Sequence, residues 1–322
     1  MNLVIIGSGL AGCIAYGATS SMNPTIYGSK SGDKPLLSDH YAVMRMRNPD
    51  IAKYLGCSVE TVNVYKAVYS DSRLHNECAI DMMNSYSKKV YGSLGVRSIF
   101  NLGIVKRYLI SGISNPTSVK YLHNLYSIGD KTAKFVYTRS ATNKLDRHAG
   151  YDFCISTIPL PILLRICKIE YPEHLFKYKK IHVYNFKIGI PSSVHQTIYF
   201  PDPEHDVYRA TLECDKMIVE CGAEWKDFSS DAVMRAFGLS TVNVGKVSYN
   251  VQPFGKISCY DHDLRRSFIQ QLTERFGVYS FGRYATWRPL RADQLMDDIE
   301  KIKRLIGASE QRRRYETKLM EV

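Results

Sequence analysis

The chain has 322 residues, of which 45% are hydrophobic and 23% charged. That is enough apolar material for one large or two interleaved domains, and it excludes a disordered chain. Lys and Arg number 43 against 31 acids, a formal net charge of +12, and such a field draws polyanions: nucleic acid, an anionic membrane surface or phosphorylated small molecules. Residues 3–6 are a continuous apolar run, read as a buried parallel strand. Gly7 to Gly12 form a turn, and residues 10–21 are small and apolar, suited to a helix packed tightly on a sheet. Asn23-Pro24 breaks that helix, and Thr25–Tyr27 is a second strand. Residues 34–56 read as a loop followed by a helix ending near Gly56. Residues 59–69 and 77–91 carry helical spacing. Residues 121–126 and 133–138 flank Gly129-Asp130 as a β-hairpin.

Residues 151–157 read as another buried strand, stopped by Pro159 and Pro161, with a helix from Ile162. Residues 180–190, 195–200 and 207–213 alternate as strands of an antiparallel sheet, a candidate substrate-binding half. Val278–Phe281 is a last short strand. After it, residues 292–306 form an amphipathic helix with Leu295, Ile299, Ile302 and Ile306 at helical spacing.

No run approaches the roughly 20 apolar residues that cross a bilayer. The apolar start at Leu3 lacks the basic flank of a signal peptide. A soluble, cytoplasmic protein with no membrane partner is expected. None of the eight cysteines has CxxC spacing, so reduced thiols are expected rather than a disulfide framework or a metal site. There is no G-x-S-x-G, HExxH or P-loop to support hydrolytic or metal chemistry.

Gly7-Ser8-Gly9-Leu10-Ala11-Gly12 matches G-x-G-x-x-G. Its first glycine permits the turn, its second lets the backbone approach a pyrophosphate, and its third allows close helix–strand packing. The phosphates then sit on the helix N-terminus. The strand before it and the helix after it are the context that gives the motif meaning. An acid that would bind the ribose is missing at Gly28-Ser29-Lys30. Ser29 can donate one hydrogen bond there, and Lys30 can favour the extra phosphate of NADP, so this unit alone does not choose between FAD and NADP.

The choice comes from the far end. Residues 279–288, Tyr-Ser-Phe-Gly-Arg-Tyr-Ala-Thr-Trp-Arg, lead into a helix through Asp293, Asp297 and Asp298. This resembles the C-terminal FAD segment of the flavin amine oxidase and UDP-galactopyranose mutase superfamily. The resemblance implies that Gly282 and Arg283 contact the cofactor pyrophosphate. It also implies that the next helix points its N-terminus at the flavin, and that Trp287 is an active-site aromatic. Asp152–Pro159 resembles the family's strand returning to the cofactor, which adds Thr157 and Pro159. Residues 38–45 resemble the loop that approaches the flavin, which adds His40, Met44 and Arg45. The compact size, early glycine motif and basic charge also resemble bacteriophage flavoenzymes of this superfamily that tailor amino-acid groups on thymine in DNA.

The implied fold is α/β: a Rossmann-like FAD-binding domain (residues 1–60, 120–165 and 275–322) with an inserted, mainly antiparallel β substrate-binding domain (61–119 and 166–274). His40 reads as an acid–base group or as a plain loop histidine. Trp287 reads as a substrate-stacking or a core residue. Tyr208-Arg209 reads as a holder of an anionic substrate group or as a surface strand pair. Arg312–Arg314 reads as a phosphate contact or as a solvated helix end.

Three functions stay open. The first is a FAD-dependent oxidoreductase or lyase acting on an amine or amino-acid group, with DNA as a partner through the basic surface. The second is a mutase-like, non-redox flavoenzyme on a nucleotide sugar. The third is a protein that holds a dinucleotide without turnover.

Overall fold

The computed structural model describes residues 1–28, 43–92, 94, 101–111, 120–121, 124–140, 143–189, 193–224, 230–240, 244–257 and 261–320. The elements begin with β1 (Leu3–Ile6), α1 (Leu10–Ala18), β2 (Thr25–Gly28), β3 (Val43–Met46) and α2 (Ala52–Leu55). Next come β4 (Ser58–Ser70), β5 (Arg73–His75), α3 (Ile80–Tyr91), β6 (Gly103–Ser111) and β7 (Lys120–Tyr121). They continue with β8 (Asn124–Gly129), β9 (Thr132–Ser140), β10 (Asn143–Gly150), β11 (Phe153–Ser156) and α4 (Leu160–Ile166). Then follow β12 (Tyr178–Ile188), β13 (His195–Tyr199), β14 (Val207–Glu213), β15 (Lys216–Cys221), α5 (Ser230–Phe237) and β16 (Val244–Ile257). The last are α6 (His262–Phe276), β17 (Val278–Ser280) and α7 (Leu295–Met320).

The chain divides into two units. One comprises Met1–Glu60, Tyr108–Leu175 and Tyr260–Val322; the other comprises Thr61–Arg107 and Phe176–Cys259. The first unit is built on a five-stranded sheet in the order β17-β11-β1-β2-β7, with every neighbouring pair parallel. All residues of β1, β11 and β17 are buried. That is why their sequences are continuous apolar runs rather than alternating ones. Leu3, Ile5, Ile14, Ala15, Ile26 and Ile155 share one core with Leu295, Ile299, Ile302 and Ile306 of α7. The helical stripe read from the sequence is thus the buried face of α7. A separate antiparallel sheet, β10-β9-β8, turns between β8 and β9 at Asp130 and Lys131. Both residues have left-handed backbones, φ 48° and 51°, the conformation of a two-residue hairpin turn.

The second unit carries strands in the order β16-β12-β15-β14-β13-β4. All of these pairings are antiparallel except that of β13 with β4. Residues 58–70 form a strand, which corrects the helical reading of 59–69. Val59, Thr61, Val62, Val64 and Val68 are β-branched, and such side chains fit a pleated surface better than a helix turn. Residues 80–91 are helical as the spacing predicts. Tyr121 belongs to β7, which pairs with β2 rather than with the hairpin. Strands β6, β10, β15 and β16 and helices α5 and α6 had no distinct sequence signal. Among the described residues, no helix is long and apolar enough to cross a membrane.

Candidate functional site

Because β1, β2, β11 and β17 are parallel, their carboxyl ends share one edge of the sheet, where open α/β sheets take their ligands. Three turns meet there. Gly7, at the end of β1, has φ 104°, and a Cβ on it would overlap the Thr157 hydroxyl. Thr157, just past β11, donates to the Ile6 carbonyl from its backbone N at 2.9 Å and from Oγ1 at 3.1 Å. A Cβ on Gly12 would overlap the Gly7 carbonyl, so α1 lies directly on the turn. Beside Gly9 a Cβ would meet nothing within 4 Å. Open space at the middle glycine is what an approaching ligand needs.

The third turn follows β17. Gly282 has φ 98°, and a Cβ on it would lie 2.8 Å from the Ala11 methyl. The segment is held by Phe281 N donating to Ser156 O and by Leu160 N donating to Tyr284 O, both at 2.9 Å. Thr286 closes a turn on Gly282 O from its backbone N (3.0 Å) and its hydroxyl (2.7 Å). Arg283, the next residue, is half-buried, with its guanidinium 5.5 Å from the centre of the Tyr284 ring. Gly7–Gly12, Thr157 and Gly282, far apart in sequence, are thus brought into direct contact.

The electrostatics of this edge favour an anion. Gly9 is the N-cap of α1; no side chain caps it, and the first turn holds no acid. The positive end of the helix dipole therefore stays uncompensated there. Ser8 is 4% exposed, and its Oγ has no hydrogen-bond partner among the described residues. A buried hydroxyl without a partner is costly unless a ligand completes it. An open glycine, an uncapped helix end, an orphaned hydroxyl and an arginine one residue past the contact fit a dinucleotide pyrophosphate.

The other predicted residues fall in several places. Ser29, Lys30 and His40 lie outside the described residues. Met44 and Arg45 are in β3, opposite Ile110 and Leu109 of β6, and Arg45 is half-buried. Pro159 precedes α4, and its carbonyl accepts from Leu163 N at 3.0 Å. Trp287 is 0% exposed with φ 46°, a left-handed backbone that is unusual for a bulky residue. Arg313, in α7, donates to Asp152 at 2.8 Å.

In the second unit, Tyr208 is buried with Val68, Tyr86, Val90 and Tyr199. Arg209 is ion-paired with Glu220, which also has Lys256 Nζ 3.6 Å away. Lys66 donates to the Tyr199 hydroxyl at 3.5 Å. Tyr199 lies opposite Arg209, and Arg209 is in register with Glu220, so one sheet face collects these groups. Sequence reasoning missed Lys66, Tyr199, Glu220 and Lys256, because only the strand register brings them together.

Burial pushes the thiols of Cys13 and Cys167 up to about 12, which leaves them protonated and poorly nucleophilic. Among the described residues, no group of three or more His, Cys, Asp or Glu is placed to hold a metal.

A crystal structure of reduced UDP-galactopyranose mutase matches this one with a TM-score of 0.66. The match covers 95% of this chain and 94% of that one, at 15% identity. The chain has the fold of that mutase. A CLA-producing fatty acid isomerase from P. acnes shares the fold, with a TM-score of 0.53 over 94% of this chain and 97% of its own, at 11% identity. At such identities the mutase fold is established and the activity is not. A family model described as "Bacterial regulatory proteins, crp family" matches residues 44–63 alone. In the mutase-like fold that stretch is most of β3, a 3-10 turn, the single turn of α2 and the start of β4. No curated protein sequence matches the chain.

Proposed function

We propose that this chain is a FAD-dependent enzyme. The observation that carries the reading is the meeting of Gly7–Gly12, Thr157 and Gly282 at the carboxyl edge of the parallel sheet. The backbone N–H groups at the start of α1 and the Ser8 hydroxyl would hold the pyrophosphate, with Arg283 supplying a cation. Thr157 leaves no room for a side chain at Gly7, and Ala11 leaves none at Gly282, so the turns are kept in register. FAD, when bound, supplies either electron acceptance or, in its reduced form, a nucleophile, and the chain supplies orientation and electrostatics. The test is the visible spectrum of the purified protein, followed by mass spectrometry of the released cofactor. Protein that is colourless, and remains so after incubation with FAD, would sink the proposal.

For the substrate, the reading we favour is a nucleotide sugar handled without net redox change. It is supported by the mutase likeness over nearly the whole of both chains and by the formal charge of +12, which suits a phosphate-bearing substrate. Arg209, Lys66 and Lys256, with the Tyr199 hydroxyl, are the groups of the second unit suited to hold its phosphates. The second reading is an oxidoreductase or lyase acting on an amine or amino-acid group, free or carried on DNA. Its support is the resemblance of residues 279–288 to flavin amine oxidases. Anaerobic mixing separates the two. Bleaching of the flavin by an amine favours the second, and turnover of UDP-sugars only after chemical reduction favours the first.

A further inference from the structure

The first unit has a second concave feature that the cofactor reading does not use. A cleft of about 310 Å³, open to solvent, lies between α6, the end of β17 with the turn after it, and α7. It shares the 280–288 segment with the cofactor cradle, but none of its walls comes from Gly7–Gly12, Thr157 or Gly282. Four basic residues line it against one carboxylate. Arg265, 7% exposed, donates from Nη1 to the Thr286 carbonyl at 3.1 Å. Arg288 donates from Nε to the Thr286 hydroxyl at 3.2 Å and is ion-paired with Asp298. Arg266 and Lys301 are exposed on α6 and α7.

The decisive residue is Ser280. It lines the cavity and is 7% exposed, and its Oγ has no hydrogen-bond partner among the described residues. A hydroxyl removed from water and left unsatisfied, in a lining that also carries four basic residues, is an incomplete set of donors. Ile269 and Ile302 supply an apolar wall beside it. We infer that this cavity binds a small molecule carrying a phosphoryl group. The phosphoryl oxygens accept from Ser280 and from the arginines and Lys301, while the carbon body rests on Ile269 and Ile302. A phosphoryl group suits this lining better than a carboxylate, because it offers three oxygens to several converging donors. The volume is at the lower end of the range of small-molecule sites.

The test is isothermal titration of the purified chain, with its bound cofactor, using inorganic pyrophosphate and a nucleoside monophosphate. Both should bind wild type. The double variant Arg266→Glu/Lys301→Glu, whose side chains are exposed and tolerant, should bind about tenfold more weakly or worse. Ser280→Ala should weaken binding by about threefold while keeping the melting temperature, since it removes an unsatisfied group. The flavin spectrum should be unchanged in each variant. Equal affinity in wild type and double variant overturns the inference, as does no binding at millimolar ligand. Loss of phosphate binding only where flavin is also lost assigns the anion to the cofactor cradle and overturns it too. If duplex DNA binds, with sensitivity to the double variant, and neither small ligand does, the site belongs to a nucleic-acid surface and the small-molecule reading fails.

Discussion

At the scale of single residues, Ser8 and Gly282 separate cofactor binding from folding. Ser8 has a buried hydroxyl with no partner among the described residues, so Ser8→Ala should not lower the melting temperature of the cofactor-free protein. It should weaken FAD binding by about tenfold or more, the loss of one hydrogen bond to a charged group. A fluorescence titration of the cofactor-free protein measures this. Gly282→Ala acts differently. It puts a Cβ at φ 98° and 2.8 Å from the Ala11 methyl, so the 282–287 turn must move off α1. We expect a loss of about 1–3 kcal/mol in stability together with much reduced flavin retention, read by denaturant unfolding and by absorbance. Retained flavin with unchanged stability would show that the turn does not need this packing.

At the scale of elements, two tethers can be tested. In the second unit, Lys89 of α3 donates to the carbonyls of Phe200 (3.0 Å), Asp202 (2.6 Å) and Val207 (2.8 Å). Burial draws its pKa down to about 8, yet the three carbonyls use all of its protons. Lys89→Met should cost about 2 kcal/mol by leaving those carbonyls short of a donor, measured by urea unfolding. In the first unit, Asp152 accepts from Asn2 N at 2.7 Å and from Arg313 of α7 at 2.8 Å. The backbone donor first, then the Arg313 guanidinium, holds its carboxyl below the ordinary 3.8. A carboxyl depressed in the folded state contributes stability that is fully present above its unfolded value and is lost as the pH falls through the folded one. Stability should therefore drop below about pH 4 in wild type. Asp152→Asn should flatten that limb and cost about 1 kcal/mol or less at neutral pH, because the pair is partly exposed. The same tether gives Arg313 a structural task, whatever the Arg312–Arg314 run does for phosphates.

At the scale of the whole molecule, the formal charge of +12 keeps DNA in view as a partner, proposed from charge alone. If that reading holds, duplex binding should weaken steeply between about 50 and 200 mM salt as phosphate contacts release counterions. Filter binding across that range is the check, and affinity that stays flat would remove DNA from consideration.

Much of the cofactor side was legible in the sequence, because its signals are local. Gly7 and Gly12 declare a turn with no room for a side chain at either position, Gly9 leaves open space between them, and Leu3–Ile6 and Phe153–Ser156 are apolar enough to be read as buried parallel strands. The 3.6-residue period of Leu295, Ile299, Ile302 and Ile306 likewise marks one helix face. The strand at 58–70 was not legible, since its valines fit a helical spacing until the pairing of β4 with β13 shows which residues it buries. The Tyr199–Arg209–Glu220 face and the cavity around Ser280 were equally hidden. Each is assembled from residues on different strands or helices, and only register and packing bring them within reach. By itself, then, the sequence determined the glycine turn at residues 7–12 and the buried strands beside it, from which a dinucleotide site is proposed. The tertiary structure decided that Gly282 meets Ala11, that Thr157 closes on Gly7, and that Ser280 lies among four basic residues, because contacts between distant segments depend on how the sheet orders its strands.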